Sequence, residues 1–385
     1  MESNSIVQGR QRILLMLPSL HAGGAENYAL RLIKFAGTAS YEWHVISPQA
    51  GIGDLHHAFS TEGVTVQYMS VGYVNPLKTI LFYRYLKKNK FDAICTFTGV
   101  FGGLVMTVAA SAGVSKRIAW HRRSTPAYKP TVPRRIYAAI SLWMMQRYST
   151  RILSNSKAAL DFFHGLNWRN DDQFRVVPNG VDKSQFTECR EAKEQARTML
   201  GLSVAERIVG HVGRYDPAKN HETIFRVAAE VTKYAPSVRF VFCGKDTDSA
   251  RFRKRLDHYG IADYCICLGL QQDMPRVYRC FDVFYFPSVT EGQPNALIEA
   301  QLAKLPFVAS DIPGIRDSVP PKLRSQLLPP KSVQDAAEAI MVRLRGAENE
   351  TGETFEWASL QFDLEKNMTM ALRELQSPPT AACHA

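Results

Sequence analysis

The chain has 385 residues and a formal net charge of +11, long enough for two domains with separate cores. Seven scattered cysteines, Cys95, Cys189, Cys243, Cys265, Cys267, Cys280 and Cys383, include no Cys-x2-Cys pair. This argues against a disulfide framework or a zinc ribbon and fits small buried thiols in a reducing compartment. No uncharged apolar run reaches the roughly 18 residues a membrane span needs. The apolar core of residues 13–17 is too short for a signal peptide, so the expectation is a cytoplasmic protein.

In chain order, the first half predicts strands at 13–17, 43–47, 64–68, 92–97, 117–121 and 151–154, with helical patterns between them, for example at 25–35 and 77–88. The first strand runs into Pro18-Ser-Leu-His-Ala-Gly-Gly-Ala-Glu26. Gly23 and Gly24 let backbone come close to a ligand, or simply turn the chain before a helix. The loop is not a Gly-x-Gly-x-x-Gly fingerprint, so it does not announce a dinucleotide site. His121 closes the strand Arg117-Ile-Ala-Trp-His121, where a ring can face a ligand crevice or remain structural.

Charge is concentrated in this half. Residues 93–160 hold no Asp or Glu, yet carry Lys116, Arg117, Arg122, Arg123, Lys129, Arg134, Arg135, Arg147, Arg151 and Lys157. The remainder of the chain is therefore nearly neutral. Within this region 132–148 predicts a helix with basic ends and an aromatic, apolar middle. Such a helix suits an anionic membrane surface; a core helix with solvated ends is the alternative. Arg122 and Arg123, or the basic ends Arg134 and Arg135, equally suit an acceptor phosphate. Trp120, Tyr128 and Tyr137 among these charges leave nucleic-acid binding open as a rival, although no RNA or DNA motif is present.

The turn-forming cluster Pro178-Asn-Gly-Val-Asp182 predicts a linker. Beyond it, strands are expected near Arg207, Val238, Tyr264, Asp282 and Pro306, and helices at 222–234, 250–259 and 333–345. Arg214 and Lys219 follow the strand 208–212. Two cations at the carboxyl end of a parallel strand suit a diphosphate whose charge grows as a bond to it breaks. Asp246-Thr-Asp248 has the form of a metal-binding Asp-x-Asp. With two cations and a helix end already available it is expected to be a solvated loop, and no essential metal is expected.

The apolar run Val283-Phe-Tyr-Phe286 predicts a buried parallel strand, followed by Ser288-Val-Thr-Glu-Gly-Gln-Pro-Asn-Ala-Leu-Ile-Glu-Ala300. Pro294 suits a first helical position. That start would leave the N–H groups of Asn295, Ala296 and Leu297 facing outward as an anion site. Glu291 then stands in the loop above, and Glu299 about a turn and a half into the helix.

Thr-Glu-Gly-Gln-Pro-Asn-Ala-Leu-Ile-Glu-Ala resembles the Glu-x7-Glu motif of the retaining glycosyltransferases of family 4. Residues 17–26, 176–182 and 210–220 resemble that family too. The resemblance implies the GT-B fold, an α/β class with two Rossmann-like doubly wound domains facing across a cleft. It implies an acceptor domain at 1–178, a donor domain at 179–355, and a final helix near 356–376 packed back on the first. It assigns Glu291 and His121 to the transferred sugar, and Arg214 and Lys219 to the donor diphosphate. Gly23, Gly24, Gln293, Asn295, Ala296 and Leu297 fall to donor binding, and Glu299 to the ribose hydroxyls.

The activity implied is retaining transfer, without cofactor or metal, from a nucleotide sugar to a glycan acceptor. A UDP-sugar is the first choice of donor and GDP-mannose the second. The acceptor would be lipid-linked, in surface polysaccharide assembly, with the protein peripheral on the cytoplasmic face of the inner membrane. A GT-B sugar-nucleotide epimerase and a nucleic-acid-binding protein are the alternatives.

Overall fold

The computed structural model describes residues 10–21, 23–49, 53–72, 75–124, 131–187, 192–346 and 350–376. Tyr128, Lys129, Cys189 and Cys383 lie outside them. The chain divides into two units, residues 1–178 with 365–385, and residues 179–364.

The first unit is built on a seven-stranded sheet of β1 (Gln11–Met16), β2 (Tyr41–Ser47), β3 (Thr65–Tyr68), β4 (Ala93–Thr96), β5 (Lys116–His121), β6 (Arg151–Ser154) and β7 (Phe174–Val176). Their order is β3-β2-β1-β4-β5-β6-β7, and every pairing is parallel. Ile13, Leu14 and Leu15 are fully buried, as expected of a parallel strand covered on both faces. The strand β7 was not predicted: three residues, Phe-Arg-Val, are too short to show a period.

The second unit holds β8 (Arg207–Val212), β9 (Val238–Cys243), β10 (Cys265–Gly269), β11 (Val283–Phe286) and β12 (Phe307–Ala309), in the parallel order β10-β9-β8-β11-β12. Phe284 and Phe286 pack in one core, while Val283 and Tyr285 pack in another on the opposite face. This alternation is why the uninterrupted apolar run Val283–Phe286 is a strand. In both sheets the strand order reverses once, between β1 and β4 and between β8 and β11. Loops at the carboxyl ends of the strands flanking such a reversal form a crevice suited to ligands.

The predicted final helix is two helices, Glu350–Gln361 and Leu364–Leu375. The break forms because the Val181 N–H takes the Phe362 carbonyl at 2.8 Å and Val181 bridges Asp363. The second helix belongs to the first unit. There Gln11 donates to the Leu375 carbonyl at 3.0 Å, and Arg151 pairs with Glu374 at 3.2 Å. Cys95, Cys243 and Cys280 are buried and Cys265 and Cys267 half-buried, all as free thiols.

Asp282, just before β11, fixes the start of two strands. Its carboxylate accepts from Lys193 at 2.5 Å, from the buried Arg197 at 2.7 Å and from the Ile208 N–H at 2.7 Å. Burial alone would raise its pKa, but these donors outweigh it and hold the carboxyl below its ordinary value. Asp282→Ala is expected to cost about 3–5 kcal/mol, because it leaves the Arg197 charge buried without its counter-ion. Urea unfolding measures this. The pKa is depressed, so the contribution is complete above the unfolded carboxyl pKa of about 4 and disappears as pH falls through the folded value. The wild-type and Asp282→Ala unfolding midpoints should therefore converge in acid.

Candidate functional site

The loops after β8 and β11 meet at the strand-order reversal of the second unit. After β8 the chain passes Gly213 and Arg214 into a short 3-10 turn, Pro217–Lys219, that Asp216 caps by accepting from the Ala218 N–H at 2.9 Å. The Val289 N–H donates to the Ala218 carbonyl at 2.9 Å, which joins this turn to the loop after β11. The Asn220 side chain donates to the Pro287 carbonyl at 3.0 Å and to the Pro330 carbonyl at 2.7 Å. Asn220 has a φ of +57°, a conformation that asparagine tolerates better than most side chains.

This stitching brings Lys219 Nζ to 2.6 Å from Glu291 Oε1, with both side chains mostly buried. The ammonium also lies 4.8 Å from the centre of the Phe286 ring. Arg214 is about half exposed, with Nε 3.6 Å from Asp216 Oδ2. The Glu291 loop rests directly on the turn Pro313–Arg316: a Cβ on Gly314 would stand 2.2 Å from the Glu291 carbonyl oxygen. Only glycine permits that approach. Gly244 (φ +143°) similarly lies against the backbone of Gly213, where a Cβ would meet the carbonyl at 2.5 Å.

The helix carrying Glu299 runs Asn295–Leu302, one residue later than expected, so Pro294 is its N-cap. The Leu297 N–H is not free: it donates to the Pro294 carbonyl at 3.2 Å. The N–H groups of Asn295 and Ala296 have no hydrogen-bond partner among the described residues, and they remain a start for anion binding. Glu299 lies a little over one turn into the helix. Its Oε2 accepts from the Tyr278 hydroxyl at 2.9 Å, and the Ala296 carbonyl is a second acceptor for that hydroxyl at 3.0 Å. Burial, with Glu299 beside it, holds the Tyr278 phenol well above its ordinary pKa, so the hydroxyl is always the donor.

Two side chains of the motif act as braces. Gln293 Oε1 accepts from the Asn179 N–H at 2.5 Å, and Asn295 Oδ1 accepts from Asn179 Nδ2 at 2.6 Å. Their amide oxygens hold the loop to the turn after Pro178. Asn179, Asn220 and Tyr278 were not singled out from sequence. Asn220 adjoins Lys219 and was within reach of motif reading. Asn179 lies in the turn-forming cluster after Pro178, but its partner Gln293 is 114 residues away, so the cluster reads as a linker and not as part of the site. The loop of Asp246-Thr-Asp248 adjoins the loop after β8, where the Tyr215 N–H donates to the Lys245 carbonyl at 2.9 Å; Asp246 has a φ of +66°, and the Asp248 carboxylate packs where a Cβ on Gly269 would stand, 2.6 Å away. No cluster of three metal-ligating side chains occurs among the described residues.

In the first unit, Gly23 precedes the helix Gly24–Ala36. A Cβ on Gly23 would stand 2.5 Å from Glu26 Oε2, whereas one on Gly24 would meet nothing within 4 Å. His121, at the end of β5, is buried. Its ring stacks on Phe163 at 4.6 Å, and its Nε2 lies 3.0 Å from His164 Nε2. Burial, reinforced by His164, lowers the His121 pKa to about 3, and burial lowers that of His164 to about 4, so both rings are neutral at pH 7.

Arg122 is partly exposed. Its guanidinium lies on the face of Tyr28 at 3.9 Å, with Nε and Nη1 buried and unpartnered among the described residues. Burial lowers its pKa to about 10. Cation–π attraction to the Tyr28 ring offsets part of the lost solvation of those nitrogens. Arg123, Arg134 and Arg135 are exposed.

The helix Val132–Tyr148 is not a core helix. It packs on the helix Gly102–Ser111, where Ser141 Oγ accepts from the Gly103 N–H at 3.2 Å. Its other face exposes Val132, Ile136, Ile140 and Trp143, all more than half exposed. The helix Pro76–Asn89, which also contacts Gly102–Ser111, exposes Leu77, Ile80 and Leu81. No described helix is long and apolar enough to cross a membrane.

Residues 22–185 match a family model described as Glycosyltransferase Family 4, and residues 206–345 one described as Glycosyl transferases group 1. EpsF of Bacillus subtilis (strain 168), whose name places it among glycosyltransferases, is 23% identical over 305 residues, covering 78% of this chain and 79% of EpsF. The UDP-Gal:alpha-D-GlcNAc-diphosphoundecaprenol alpha-1,3-galactosyltransferase of Escherichia coli is 26% identical over 257 residues, 64% of each chain. Among solved structures, Anabaena Alr3699/HepE in complex with UDP superposes with a TM-score of 0.78 at 17% identity, covering 95% of this chain and 99% of that one. WaaG, a glycosyltransferase involved in lipopolysaccharide biosynthesis, superposes with a TM-score of 0.71 at 13% identity, covering 95% and 100%.

Proposed function

The chain belongs to the family 4 glycosyltransferases and has the GT-B fold, and on that premise we propose that it transfers one sugar, with retention, from a UDP-sugar to a lipid-linked glycan in surface polysaccharide assembly. The observation that carries the donor reading is the grouping of Arg214, Lys219, Glu291 and the unpartnered N–H groups of Asn295 and Ala296 around one strand-order reversal. Cations and helix N–H groups suit a diphosphate. Glu299 suits the vicinal hydroxyls of a ribose, since a carboxylate only accepts hydrogen bonds. UDP is favoured over GDP because HepE was solved with UDP and with UDP-glucose and the Escherichia coli relative is named for UDP-Gal.

A carboxylate already paired with an ammonium is a poor nucleophile. The Lys219–Glu291 pair therefore supports same-face attack, with the leaving diphosphate helping to deprotonate the acceptor, over a glycosyl-enzyme intermediate on Glu291. The two cations take the role a metal would have at the leaving phosphate, so no metal is proposed.

A thermal-shift panel with UDP, GDP, ADP and a short RNA tests the donor site. UDP alone should raise the melting temperature, in chelator as in buffer, and Arg214→Ala should abolish the shift. A shift with RNA alone that survives in the variant would overturn the reading in favour of a nucleic-acid-binding protein.

The exposed apolar face of the helix Val132–Tyr148, with Arg134 and Arg135 at one end and Arg147 at the other, supports peripheral contact with an anionic membrane. Cosedimentation with vesicles rich in phosphatidylglycerol should fall about tenfold for Ile136→Ser/Trp143→Ser and decline at high salt. Equal binding to neutral vesicles would remove the electrostatic half of this reading, and unchanged binding by the variant would remove the apolar half.

A further inference from the structure

The structure assigns His164 as a positioning residue that accepts the Nε2 proton of His121 and so holds His121 Nδ1 as a hydrogen-bond acceptor for a hydroxyl of the bound sugar. This rests on the proposed transferase reading and on the placement of His121 at the transferred sugar that the family resemblance implies. The two Nε2 atoms are 3.0 Å apart, a hydrogen-bond distance. Two neutral imidazoles can hold it only if one Nε2 carries a proton and the other a lone pair. If both carried protons the hydrogens would collide, and if neither did two lone pairs would face each other.

The other nitrogen of His121 decides between the two arrangements. His121 Nδ1 is buried and has no partner among the described residues. A buried N–H left unpaired is rarer in folded proteins than an under-used acceptor. Nδ1 therefore bears the lone pair, Nε2 bears the proton, and His164 is the acceptor. The ring cannot turn freely to exchange them, since it is stacked on Phe163 at an interplanar angle of 15°. His164 is held in turn by an edge contact with Phe174, 4.9 Å between centres. His164 ends the helix Lys157–His164, 43 residues from its partner. It acts through His121, and nothing assigns it a contact with substrate.

The test uses the full-length protein with selectively 15N-labelled histidine. Wild type should show a pyrrole-like Nε2 and a pyridine-like Nδ1 for His121. A protonated Nδ1 would overturn the proposal whatever the activity. His164→Phe keeps a ring against Phe174 and removes the acceptor. It should lower kcat about tenfold, the scale of one misdirected hydrogen bond of about 1.4 kcal/mol, while the UDP thermal shift stays unchanged. His164→Gln, which restores an acceptor oxygen, should recover part of kcat. In a His121→Phe background, His164→Phe should have no further effect. An equal loss in both backgrounds would mean that His164 is merely structural and would overturn the proposal. Loss of UDP binding in wild type would count against the donor reading and leave the tautomer result standing.

Discussion

Lys219→Met lowers the rate of sugar transfer by about a hundredfold to a thousandfold, the scale seen when one fixed charge or donor at a developing anion is removed. The ammonium stands at the strand-order reversal beside Arg214, and its role is to meet negative charge that grows on the leaving diphosphate. Such an interaction is stronger in the transition state than in the ground state, so the loss should fall mainly on kcat. The same substitution has a structural cost. It takes from Glu291, whose side chain is 13% exposed, the cation 2.6 Å away, and breaking a mostly buried ion pair destabilises the fold. The double variant Lys219→Met/Glu291→Gln separates the two effects. Neutralising both partners should restore most of the melting temperature while transfer stays as low as in the single variant or lower. Recovery of transfer with stability would mean that Lys219 serves the fold alone.

Glu299→Ala raises the KM for the donor by about a hundredfold or more. Two hydrogen bonds from ribose hydroxyls to a carboxylate are each worth about 1.5–3 kcal/mol. The interaction is made equally in ground and transition states, so kcat should change little. Stability should also change little. The Tyr278 hydroxyl, which donates to Glu299, keeps the Ala296 carbonyl at 3.0 Å as an acceptor. Glu299→Gln retains an acceptor oxygen without the charge and should fall between wild type and alanine. Steady-state kinetics over a range of donor concentrations measures both. A loss in kcat with unchanged KM would move Glu299 from ribose recognition to the reacting centre.

The architecture was legible because parallel strands buried on both faces leave continuous apolar runs, such as Ile13–Met16 and Val283–Phe286. The short motifs between them fall at strand ends. The pairing of Lys219 with Glu291 was hidden, since the motifs around the two residues each suggested a ligand rather than each other. The side chains of Gln293 and Asn295 were read only toward a ligand, whereas their amide oxygens also brace the loop through Asn179, which lies far away in sequence. Charge counting treats every arginine as solvated, whereas the Arg122 guanidinium lies on the ring of Tyr28. The tertiary context that decides such cases comes from contacts over tens to hundreds of residues, which no local window contains.

The return of the helix Leu364–Leu375 to the first unit bears on how the protein is made. Met368, Ala371 and Leu375 are buried there, and Gln11 at the edge of β1 reaches across 364 positions to the Leu375 carbonyl. A ribosome delivers the sheet of the first unit early, but the helix that completes its packing emerges only after residues 179–364 have been synthesised. Domains ordinarily fold as units from the N-terminus. Here the unit that is begun first is finished last, and its nascent form must wait through the translation of its neighbour with an apolar seat still open. Contacts of such long range also slow folding, since the chain between them must be closed before they add stability.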